Sequence, residues 1–319
     1  MPILEAPAAA LSFLGRQGTR AVALSVFAGL FLPGLAALFR PYFTAAILVL
    51  LCLAFLRVEP AALRGHFRRP GLVLAASAWM MLATPALFAL GAFMLTGTPK
   101  DEPLFLALAL QVMAPPVTAS PALAALMGLD AALSLATLIV CTAAIPFTAP
   151  LFVFLLYGTS LALSPLALGL RLFALLGGAA LAATLIRRFC GRAFIARQAE
   201  RIDGLNVIAL FVFAVAVMDG VAAQIMQAPL LALGFFALVF AVALLLASLT
   251  ALVLLRAGAH ASLAIALAAG SRNMGLMLAA IGSVVPERTW LYFAIAQFPI
   301  YLLPHILKPL GRWGRKAGA

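Results

Sequence analysis

Apolar residues along this chain come in long unbroken blocks, not in alternation and not as the one-sided stripe of a soluble helix. The blocks run over residues 21–39, 43–57, 71–96, 104–127, 131–157, 166–186, 205–226, 229–255, 258–283 and 287–307, separated by charged or turn-forming residues. In lipid the backbone must satisfy its own hydrogen bonds, which leaves helices or closed barrels. A barrel strand alternates apolar and polar residues, and stretches such as Leu244-Leu245-Leu246-Ala247 do not. With ~20 residues needed to cross the hydrocarbon core, the pattern predicts an all-α membrane protein of about ten transmembrane helices.

Composition narrows the class. Of 319 residues 66% are hydrophobic and 9% charged, and the mean hydropathy is +1.18, against about 25% charged residues in a soluble domain. No soluble catalytic domain fits. A net charge of +12 would point to nucleic acid in a soluble protein, but here the basic residues sit in short connections, where they fix orientation. With both termini cytoplasmic, sixteen Lys and Arg face inside, against Arg40, Lys100, Arg171 and Arg288 outside or at the outer rim. The expected setting is the lipid bilayer, with no nucleic-acid partner. Residues 187–204 hold five of the inside arginines and read as a basic cytoplasmic linker loop. It divides spans 1–6 (residues 1–186) from spans 7–10 and a basic tail (205–319). Glu5 precedes and Arg16 and Arg20 follow a short apolar run, the wrong order for a cleavable signal peptide. Cys52, Cys141 and Cys190 are too scattered for a disulfide framework or metal site and read as buried small hydrophobes. His66, His260 and His305 fall near the cytoplasmic ends of spans.

Two blocks are interrupted by residues that helices avoid. The fourth contains Ala114-Pro115-Pro116-Val117-Thr118-Ala119-Ser120-Pro121, and the ninth Ala269-Gly270-Ser271-Arg272-Asn273-Met274-Gly275. Pro121 and Asn273 lie 152 positions apart, and Pro146 and Pro299 in the following spans 153. Five spans per repeat is an odd number, so the second repeat enters the membrane in the opposite sense. Matched breaks in two inverted halves point to a transporter site near the bilayer midplane. Pro115, Pro116 and Pro121 remove backbone donors, and Gly270 supplies flexibility. Thr118, Ser120, Ser271, Arg272 and Asn273 offer polar groups to a ligand. An arginine at mid-membrane costs at least about 2.5–3.5 kcal/mol and normally faces a protein-lined cavity. Of nine acidic residues, only Asp219 falls within a span. Either Asp219 pairs with Arg272 or Arg272 awaits an anionic ligand; an unpartnered, buried Asp219 would also be the one candidate for proton coupling. Motifs of membrane-embedded hydrolases and metalloenzymes are missing from the sequence, so an enzyme is not expected.

Pro115-Pro116-Val117-Thr118-Ala119-Ser120-Pro121 resembles the Pro-Gly-Gly-Thr-Ala-Ser-Asn of the bile acid:sodium symporters and their bacterial homologues. Gly270-Ser271-Arg272-Asn273-Met274-Gly275-Leu276 similarly resembles their Gly-Met-Gln-Asn-Ser-Gly-Leu, and Arg69-Pro70 with Thr84-Pro85 in the third span is also similar. The resemblance implies two inverted five-helix repeats, the first being spans 1–5. It also implies a core domain (spans 3–5 and 8–10) with two crossing broken helices, and a panel domain (spans 1, 2, 6 and 7). The implied substrate is a small organic anion, and the implied location a bacterial inner membrane. The same resemblance marks sodium ligands, and most are replaced: the glutamate by Ala268, the glutamine by Arg272, the asparagine by Pro121, a third-span glutamine by Met80 and a fifth-span threonine by Leu138. Ser120 and Ser134 survive. The expectation is therefore a carrier without the usual two-sodium coupling and with no metal or other cofactor. A sodium- or proton-coupled symporter of the same fold, an auxin- or arsenite-efflux type carrier and a non-transporting binder stand as alternatives.

Overall fold

The computed structural model describes residues 18–57, 70–94, 102–157, 164–282, 285–300 and 302. The basic terminal segments, the Arg64–Arg69 connection, Lys100, His66 and His305 lie outside these. Among the described residues the regular structure is helical apart from one isolated β-bridge. The chain is an all-α, multi-pass membrane protein.

The helices are α1 (Gly18–Phe31), α2 (Pro33–Arg57), α3 (Pro70–Met94), α4a (Pro103–Met113), α4b (Ser120–Leu126), α5 (Ala131–Tyr157) and α6 (Pro165–Cys190). They continue with α7 (Ala199–Gln227), α8 (Pro229–Val253), α9a (Ala259–Gly270), α9b (Met274–Ile281) and α10 (287–300). Helices α2, α3, α5, α6, α7 and α8 are each long and apolar enough to cross a membrane. Proline opens α2, α3, α4a, α6 and α8, positions where its missing N–H costs nothing and its fixed φ suits the first turn.

Three boundaries differ from the sequence pattern. The first break falls at Leu32–Pro33, not at Arg40–Pro41. Leu32, held out of the helical region before proline (φ −120°, ψ 73°), ends α1, whereas Pro41 only tightens one turn into a 3-10 segment, Arg40–Tyr42. Arg40 consequently lies inside the 25-residue α2 instead of at its rim. Residues 187–204 are not a loop: α6 continues to Cys190, a short helix covers Arg192–Arg197, and α7 begins at Ala199. Arginine, alanine and glutamine are good helix formers, and the chain turns at Gly191, whose φ of +79° is open to glycine at no steric cost. Cys141 is buried, but Cys52 is only half-buried and Cys190 is exposed at the end of α6.

The chain forms two compact units, residues 1–58 with 174–229 and residues 59–173 with 230–319. In the first, α7 packs along α1 and α2, with Phe43 stacked on Phe213 (5.6 Å) and Phe39 edge-on to Phe211 (6.1 Å). Arg187 caps the end of α2, its Nη2 donating to the carbonyls of Phe55 (2.8 Å) and Leu56 (3.0 Å), and Arg57 pairs with Asp203. In the second unit α5 packs against α3, α4b and α9a, around a buried cluster of Ala124, Met127, Leu129, Ala264 and Leu267. Buried side chains tie the other helices in: Trp79 Nε1 donates to Thr250 Oγ1 (2.9 Å), Tyr292 Oη to Gln111 Oε1, and Thr289 Oγ1 to the Pro103 carbonyl (2.7 Å).

Candidate functional site

The two interrupted helices meet at their breaks. Ala114 turns to an extended conformation (ψ 147°) ahead of Pro115 and Pro116, which have no N–H with which to continue α4a. Freed from helical pairing, this segment bonds to the other break: Val117 N donates to the Ser271 carbonyl (2.9 Å) and Asn273 N to the Pro115 carbonyl (2.8 Å). Pro116 and Arg272 thereby form an antiparallel bridge. Each gap closes the backbone groups that the other leaves open. Pro121 sits in the first turn of α4b, and Asn273 caps α9b, its Oδ1 accepting from Leu276 N (3.2 Å).

Gly270 does something other than loosen α9a. A Cβ there would stand 2.8 Å from the Ala243 carbonyl oxygen and 3.2 Å from Ala247 Cβ, so the missing side chain lets α9a lie directly against α8.

Arg272 is 2% exposed, and it turns its guanidinium onto the crossover. Nε donates to the Ala269 carbonyl (2.8 Å), Nη1 to those of Ala114 (2.9 Å) and Met80 (3.2 Å), and Nη2 to Thr84 Oγ1 (3.2 Å). Four of its five N–H groups are thus used within the protein. Each acceptor has a local cause. Ala114 caps α4a and Ala269 lies in the last turn of α9a, so both are carbonyls at helix C-terminal ends, which lack intrahelical donors. Met80 belongs to a π-helical stretch, Trp79–Ala83, in which Thr84 N–H bonds to Trp79 O. In that register the donor due to Met80 O is residue 85, a proline with no N–H. The Thr84 hydroxyl (2.8 Å) and Arg272 supply donors instead.

This arrangement answers how the buried charge is neutralised. Two helix C-termini each carry about half an elementary negative charge, which together offset about one guanidinium. Neither of the two partners expected from sequence is needed. Asp219 does not pair with Arg272: it lies in a turn interrupting α7 at 218–220 and forms an ion pair with Arg40 of α2 (3.7 Å), both within the other unit. It is also not the buried, unpartnered carboxylate that the proton-coupling idea requires; its side chain is 31% exposed. An asparagine at 219 would leave Arg40 inside a span without this partner, a situation worth up to about 2.5–3.5 kcal/mol before the side chain snorkels to the interface. Asp219→Asn is therefore expected to melt below the wild type. The double variant Arg40→Gln, Asp219→Asn should recover most of the loss; a double variant as unstable as the single one would show that the pair is not what matters.

Several hydroxyls near the crossover are buried without a protein partner. Ser120 opens α4b, with its N–H on the Val117 carbonyl, and Ser271 lies in the opposite break; neither Oγ has a bond within the protein. Ser134 and Thr137, one turn apart on α5, are alike in this. Buried hydroxyls are normally satisfied by protein, water or ligand, so these four are open hydrogen-bonding positions. Thr118 is half-buried in the turn of the first break that leads into α4b. Thr137 and the three carbonyls escaped the sequence reading. Nothing in a residue's identity marks its carbonyl as available, although the Thr84-Pro85 pair carried a signal for Met80.

Among the described residues no group of three or more His, Cys, Asp or Glu could hold a metal ion. No individual curated protein matches the chain. The model of one family, the Sodium Bile acid symporter family, matches residues 44–228, a stretch that includes the first break but ends before the second. That match takes in more than half of the 319 residues, and the chain belongs to this family, whose members are transporters and not enzymes.

Proposed function

We propose that the protein is a secondary carrier for a small organic anion in which Arg272 stands where a relative holds a coupling sodium ion. The observation that carries this is the guanidinium enclosed by the Ala114, Ala269 and Met80 carbonyls, a set of hard oxygen acceptors of the kind that also suits a cation. Ala268, at the position implied for a sodium-binding carboxylate, is buried and offers no charge. A further cation about 4 Å from the guanidinium would be repelled by about 4 kcal/mol at an effective dielectric of about 20, several hundredfold in affinity.

In this proposal the chain has ten spans in two inverted repeats: the helices long enough to cross, together with α1, the two interrupted helices and α10. Both termini are cytoplasmic. The unit of residues 59–173 and 230–319 serves as the core domain that carries the crossover, and the other as the panel against which it works in alternating access; the ranges of the two compact units support that division. Arg272 is a structural cation, since its one remaining N–H leaves little with which to bind a substrate carboxylate. Ser120, Ser134, Thr137 and Ser271 supply the open polar positions, with Thr118 beside them.

Uptake of a panel of carboxylates and sulfonates, taurocholate among them, into proteoliposomes tests this directly. The same initial rate and the same plateau are expected with an inward sodium gradient and with potassium in its place. Accumulation above the external concentration that requires sodium would reject the proposal.

A further inference from the structure

The turnaround between α6 and α7 carries chemistry that the carrier cycle does not use. Arg188, Arg192, Arg197 and Arg201 are all exposed, and none has a carboxylate partner among the described residues. Of the nearby acids, Asp203 is taken by Arg57 and Glu200 is exposed. Two phenylalanines stand among the arginines, Phe189 82% and Phe194 52% exposed. A bare positive cluster would be an ordinary solvated connection; exposed aromatic rings within it are not what water favours.

Geometry places the segment at a defined level. From Pro165 to Arg187 α6 rises over twenty-two positions, or ~33 Å at ~1.5 Å per residue, enough to cross a hydrocarbon core of ~30 Å. With α6 read as a membrane span, the turnaround beyond Arg187 falls at headgroup depth. At Gly191 the chain leaves the α6 axis, runs through Arg192–Arg197, and returns across the membrane as α7. Aromatic side chains favour that interfacial layer, and arginines there meet lipid phosphates. Guanidinium groups bind phosphate oxygens in a forked, bidentate way that an ammonium does not reproduce.

We infer that residues 188–201 form a docking surface for acidic phospholipid headgroups, with Arg188, Arg192, Arg197 and Arg201 on the phosphates and Phe189 and Phe194 seated among the acyl-chain ends. The occupant is the lipid of the surrounding leaflet. The surface is independent of what the carrier transports.

The test counts lipid that co-elutes with the purified full-length protein on gel filtration from mixed micelles of phosphatidylglycerol and phosphatidylcholine. The wild type is expected to retain phosphatidylglycerol preferentially. Raising salt from about 0.1 M to about 1 M, where the screening length falls from about 10 Å to about 3 Å, should shrink that preference. The variant with Arg188, Arg192, Arg197 and Arg201 all changed to Gln should lose at least about tenfold of it, given a contribution near 1 kcal/mol per basic residue at a membrane surface. The all-Lys variant, which keeps the charges and loses the fork, should retain a preference between those of the wild type and the Gln variant. Equal retention of both lipids by the wild type, or an unchanged preference in the Gln variant, would overturn the inference. So would displacement of phosphatidylglycerol by inorganic phosphate or glycerol phosphate, which would mark a site for soluble anions.

Discussion

Replacing Arg272 with methionine should destabilise the protein by about 2–6 kcal/mol, the cost of leaving two buried acceptors open. Methionine fills much of the space but donates nothing. The carbonyls of Ala114 and Ala269 would lose the donor they now share, while that of Met80 keeps the Thr84 hydroxyl. A buried acceptor left open costs about 1–3 kcal/mol, and here two helix C-termini would face each other with no positive charge between them. Arg272→Lys should fall between the two, because one ammonium cannot reach acceptors that the forked guanidinium spans from three nitrogens. Thermal unfolding in detergent decides the matter. If the methionine variant melts within a few degrees of the wild type, the guanidinium does not hold the crossover together.

The second large effect is expected at Gly270. Gly270→Val puts branched carbons where a single Cβ would already lie 2.8 Å from the Ala243 carbonyl oxygen. The obstacle is backbone of α8 and cannot swing aside, so the helices must separate. Overpacking of this kind costs about 1–3 kcal/mol and more where backbone must move. Because Gly270 is the residue immediately before the break, separation would pull Ser271 off Val117 N. Loss of uptake is expected together with a lowered melting temperature. Gly178→Ala on α6 is the matched control: a Cβ there meets nothing within 4 Å, and no loss beyond about 0.5 kcal/mol is expected of such a surface change. Full activity in Gly270→Val would mean that α8 and α9a need not touch.

Much of the architecture could be read from residue types. Apolar blocks gave the helices because lipid leaves the backbone so few options; prolines marked the first break through their missing N–H, and a glycine followed by three polar residues, Ser271-Arg272-Asn273, marked the second. What escaped was mostly made of backbone. Arg272 was visible as a buried charge, but three of its four bonds go to the main chain of residues 80, 114 and 269 and the fourth to the Thr84 hydroxyl, none of them to a carboxylate such as Asp219. Gly270 invited an argument from flexibility when the decisive fact is the nearness of Ala243, which no local pattern encodes. The Leu32–Pro33 and Arg40–Pro41 pairs look alike in sequence, yet only the first ends a helix. The Arg40–Tyr42 segment stays helical as a 3-10 turn, whereas Leu32 leaves the helical region. Residues 187–204 carry the charge of a connecting loop, but arginine is among the better helix formers, and the segment is helical on both sides of Gly191.

The covalent attachment of Arg272 has one more consequence. A cation taken up from the medium stabilises its host in proportion to the logarithm of its concentration, so its site empties when the ion is scarce. The guanidinium is part of the polypeptide and obeys no such mass action. The part of the packing that Arg272 supplies therefore does not vary with the ionic composition on either side of the membrane, and these bonds stay made in surroundings that would strip a dissociable metal from its site.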